Sequence, residues 1–156
     1  MTWSTFARRG EVLRTVTDTL DERSGGVLPM DLPGVLETFG DELSLLAALQ
    51  LRWHTRLSGR LERALAEAPA DTDTAAIAAW HTTYDELPGT RQALDHYRER
   101  PLDDTMSAAL ATATDKERLL LAAMAGHTGS TAAATIAAGR ALEERARASY
   151  HRRLAA

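Results

Sequence analysis

The side chains best suited to chemistry in this sequence are a few histidines and acids that fall on helical patterns. His81 and Asp85 stand four residues apart, so a helix would place both on one face, where they could share a metal ion. Alternatively, Asp85 only orients the imidazole through a hydrogen bond, as carboxylates often do. We therefore keep His81 and Asp85 as a candidate metal-ligand pair, with a plain surface pair as the alternative.

A second group of candidates consists of polar residues at apolar helix positions. Glu117 and Glu143 each interrupt an apolar stripe, and burying a carboxylate without a partner is costly. We expect a polar core in which arginine or histidine side chains, with Arg60 as an alternative to Arg56, receive these acids. Its candidate members are Gln50, His54, Arg56, Glu117 and Glu143. Such a core is either an ion-pair network that sets helix register or a pocket for a small anion or a metal.

The familiar catalytic and cofactor motifs are missing from the sequence. None of the five histidines follows a glutamate by three residues, as the ligands of a di-iron bundle would. There is no His-Glu-x-x-His, no phosphate-binding glycine loop, no Gly-x-Ser-x-Gly and no cysteine. The segment 126–130 could present backbone N–H groups to an anion, but its simpler role is to end one helix and cap the next. We therefore predict no cofactor and favour a non-enzymatic protein.

The elements that position these residues are predicted to be helices, because apolar residues recur at spacings of three and four. A first helix, about 4–23, would place Phe6, Leu13, Val16 and Leu20 on one stripe. A long central helix is predicted over about 36–68, with shorter helices after each Pro or Gly break. The expected fold is all-α: an antiparallel bundle of four to six helices around the 36–68 helix, forming a single domain over residues 1–156.

Composition and charge restrict the partners. The formal net charge is −4 and only one of 18 basic residues is a lysine, which disfavours nucleic acid and anionic lipid. The arginine row along 52–63 alternates with acids and lacks interleaved aromatics for base stacking. No stretch approaches the roughly 20 apolar residues of a membrane span, and a cysteine-free chain without a signal-like start suits the cytoplasm. We expect no nucleic-acid and no membrane partner.

The stretch from Asp41 to Leu57 includes the sequence Leu-Gln-Leu-Arg-Trp-His-Thr-Arg-Leu. It resembles part of the small, uncharacterised all-helical proteins of high-GC actinobacteria. The resemblance implies an all-helical fold, and it brings no activity, cofactor or site residue with it.

Two functions from different classes remain for such a bundle. The first is a non-enzymatic protein that acts through protein contacts as a homodimer, because apolar faces are in surplus around 43–51 and along the alanine-rich final helix, about 131–154. The second is a ferritin-like bundle with an interior metal or small-anion site. Convergence of the polar candidates in one cavity would favour the second.

Overall fold

The computed structural model describes residues 2–156, and in that range the chain forms seven α-helices and no strand. The all-α class predicted from the sequence is confirmed. The helices are α1 (Trp3–Glu22), α2 (Val35–Phe39), α3 (Glu42–Glu67), α4 (Thr72–Glu86), α5 (Pro88–Glu99), α6 (Asp104–Met124) and α7 (Ala132–Ala155). Within residues 2–156, none of these helices is both long enough and apolar enough to cross a bilayer.

The long central helix predicted over 36–68 is interrupted, and this is a correction to the sequence-based expectation. Gly40 has a φ of 84°, a conformation that side-chain-bearing residues avoid, and it ends α2. Asp41 then begins α3, because its carboxylate accepts a 2.8 Å hydrogen bond from the Ser44 amide. The same bond lowers the pKa of Asp41. The described residues therefore contain seven helices rather than four to six.

The chain folds into two compact units. The first comprises the residues up to Trp53 together with Leu87–Ala108. In it α1 packs on α5, where the Gly89 amide donates to Asp21 at 2.9 Å. Its interior is aliphatic and includes Val16, Leu20, Leu45, Leu46, Leu49 and Leu94. The single-domain organisation and the antiparallel bundle arrangement stay predictions.

The second unit comprises His54–Glu86 and Ala109–Ala156. Here α4 packs on α7 around a core that includes Leu57, Leu61, Trp80, Leu121 and Leu142. The backbones of α6 and α7 approach closely at Gly139, where a Cβ would lie 1.9 Å from the Arg118 carbonyl oxygen. This unit contains most of the polar candidates.

Candidate functional site

His81 is half-buried between α4 and α7, and its hydrogen bonds determine whether Nε2 carries a proton. Its Nε2 lies 2.8 Å from the carbonyl oxygen of Ala146 and 3.0 Å from the Ser149 hydroxyl. A carbonyl oxygen can only accept, so Nε2 carries a proton and donates it to Ala146. In this arrangement the Nε2 lone pair is not free to bind a metal or to remove a proton.

Asp85, the other member of the candidate metal pair, faces different partners. Its carboxylate accepts hydrogen bonds from the Tyr150 hydroxyl at 3.0 Å and from Arg153 Nη2 at 2.6 Å. Burial, followed by the Asp85 hydrogen bond, raises the pKa of Tyr150, and the bond to Asp85 raises the pKa of Arg153. In residues 2–156 no cluster of three or more His, Cys, Asp or Glu side chains could hold a metal ion.

Ser149 is a potential nucleophile that the sequence analysis missed. Its hydroxyl lies 3.0 Å from His81 Nε2, the spacing of a serine–histidine pair. However, the hydroxyl also bonds the Arg145 carbonyl at 2.8 Å, the common local bond of a helical serine, and Nε2 already carries its proton. The pair therefore lacks an available base. No sequence pattern indicates this contact, because 68 residues separate the partners.

Glu143 is buried, as predicted for an acid on an apolar stripe. One carboxylate oxygen accepts from Arg118 Nε at 2.9 Å, and the other accepts from Arg147 Nε at 3.1 Å. The Arg147 guanidinium also lies over the Trp80 ring, 5.3 Å from its centroid. Glu143 thus links α6 to α7 through arginines that were not among the candidates.

The remaining members of the predicted polar core differ in their surroundings. Arg56 and Arg60 both form ion pairs with Glu86, whereas Glu143 pairs with Arg118 and Arg147. The polar core as a whole stays a prediction. Glu117 is buried, His54 is half-buried, and the half-buried Gln50 belongs to the first unit.

A cleft between α3 and α4 has a volume of about 260 Å³ and is lined by Arg60, Arg63, Ala64, Glu67, Ala78, Ala79 and Thr82. Each arginine in its wall is already paired with an acid, Arg60 with Glu86 and Arg63 with Glu67. The cleft therefore offers an anionic ligand little uncompensated positive charge. It is also smaller than the roughly 300–1,000 Å³ of typical ligand pockets.

Asp73 at the start of α4 connects three elements of the second unit. Its carboxylate bonds His127 Nε2 at 2.5 Å and Arg145 Nη1 at 2.9 Å. The hydrogen bond from His127 is the main cause of a lowered Asp73 pKa, and Arg145 adds to it. His127 belongs to the segment 126–130, whose predicted helix-ending role is confirmed: Gly126 has a φ of 82°, and the His127 amide donates to the Ala122 carbonyl at 2.8 Å.

We expect Asp73→Asn to lower the free energy of unfolding at neutral pH by up to about 1 kcal/mol, since these ion pairs are partly exposed. A carboxyl group whose pKa is lowered by folding stabilises the folded state at pH values above its ordinary pKa of 3.8. This stabilisation is lost as the pH falls through the lower pKa of the folded state. The difference between variant and parent should therefore shrink below pH 3.8 in urea titrations. Asp115→Asn, at an exposed position on α6, serves as the control; a difference that stays constant into strong acid would contradict the assignment.

Comparisons with known proteins do not assign this chain to a family. No protein-family model, curated protein or solved structure matches it. The resemblance of residues 41–57 to actinobacterial helical proteins stays a prediction.

The most exposed apolar side chains on α1 lie in its first turns. Residues 2–11 are all exposed, and Trp3 and Phe6 are 87% and 55% exposed. Farther along α1, Val16 and Leu20 on the predicted stripe are buried. Phe6 shares the predicted stripe but is exposed, because nothing in the described chain covers this end of the helix enough to bury it.

Proposed function

We propose that this protein acts through protein contacts, as a homodimer, and that the exposed start of α1 is its contact surface. We call the residues Trp3, Phe6, Ala7 and Gly10 the α1 face; they follow the i, i+3, i+4, i+7 spacing of one helical stripe. The exposure of two large aromatic side chains on this stripe carries the proposal. Burying such groups is favourable, and Trp and Phe are enriched where proteins meet.

The polar side chains support a role without catalysis. The Nε2 of His81 and the hydroxyl of Ser149 each bond a backbone carbonyl of α7. Asp85 and Glu143 bond tyrosine or arginine side chains. These groups hold α4, α6 and α7 together, and an enzyme would instead present an available base or nucleophile.

Part of the apolar surplus that first suggested a dimer is used inside the chain. Leu45, Leu46 and Leu49 are completely buried within the chain, so the 43–51 segment mainly serves the protein's own core. Most exposed apolar side chains of the final helix are alanines, which offer little area each. The α1 face is therefore the better candidate for the dimer contact.

Nucleic acid, membrane and extracytoplasmic roles are not part of the proposal. The net charge of −4 opposes binding to polyanions, and Arg56, Arg60 and Arg63 of the arginine row on α3 pair with Glu86 or Glu67. A cytoplasmic location is part of the proposal, since a chain without cysteine needs no oxidising compartment.

Sedimentation equilibrium tests the proposal directly. The parent chain of 17.0 kDa should approach twice that mass as its concentration rises through the micromolar range. The double variant Trp3→Ala/Phe6→Ala should weaken association at least tenfold, because it removes the main apolar area of the α1 face.

Leu51→Ala is the matched control, because Leu51 is 67% exposed but lies on α3. It should leave the dissociation constant unchanged. A parent that stays monomeric at roughly 200 μM, where a micromolar complex would be formed, would overturn the proposal. If the double variant associates as well as the parent, the dimer contact does not lie on the α1 face.

A further inference from the structure

We draw no further inference here: the strongest candidate, the exposed apolar patch that Trp3 and Phe6 form at the start of α1, carries nothing beyond the proposed function, because nothing in the structure shows what covers it.

Discussion

Replacing Gly139 with alanine is expected to lower the free energy of unfolding by about 3 kcal/mol or more, at the upper end of the cost of overpacking. A Cβ at this position would lie 1.9 Å from the carbonyl oxygen and 2.5 Å from the carbonyl carbon of Arg118. Both atoms are backbone, so α6 and α7 must move apart to admit the methyl group. Urea denaturation followed by far-ultraviolet circular dichroism measures the loss.

The control for this prediction is Gly59→Ala. Gly59 is also inside a helix, but its Cβ direction is open within the described part of the chain. Alanine there should raise the free energy of unfolding by about 0.5–1 kcal/mol, since it removes only the entropic cost of a helical glycine. If the two variants changed stability by similar amounts, the close approach of α6 and α7 would be wrong.

Replacing Glu143 with glutamine is the second large expected effect, a loss of about 2–3 kcal/mol. The Glu143 side chain is 4% exposed and pairs with Arg118 and Arg147, which are 14% and 26% exposed. Breaking a buried ion pair costs about 3–5 kcal/mol, and the partial exposure of the arginines reduces that figure. The substitution keeps the size of the side chain and removes its charge, so denaturant titration reports the electrostatic contribution.

The neighbouring residue supplies the matched control. Glu144 pairs with Arg140 at 3.0 Å, but both side chains are more than 60% exposed, so Glu144→Gln should change stability by less than about 0.5 kcal/mol. Equal effects of the two substitutions would contradict the structural role of Glu143. Equal effects would also support the alternative hypothesis that the Glu143 carboxylate binds a ligand.

The helical class was predictable because burial repeats along each helix with the spacing of its turns. The break at Gly40 was missed, since the apolar pattern continues on both sides of it, although glycine followed by aspartate is a typical stop and restart signal. Periodicity also predicted which side of α1 carries Phe6 but not its exposure. Whether another element covers a stripe is a tertiary property that local spacing does not contain.

The polar candidates show the same division between local and tertiary information. The burial of Glu143 followed from its place on an apolar stripe, whereas its partner Arg118 lies 25 residues away on another helix. The spacing of His81 and Asp85 correctly placed both on α4 but did not reveal that Ala146, Ser149, Tyr150 and Arg153 of α7 bond them. These partners depend on how helices pack, which one sequence does not specify.

Hydrogen–deuterium exchange at two protein concentrations tests the proposed homodimer most directly. Backbone amides in the first three turns of α1 are exposed at one helix end and should exchange quickly in the monomer. On raising the concentration from about 1 to 200 μM, across the expected dissociation constant, we predict that protection increases at residues 5–12 and stays constant in α3 and α7. Exchange at α1 that does not depend on concentration, or protection that appears on another helix instead, would contradict the proposal.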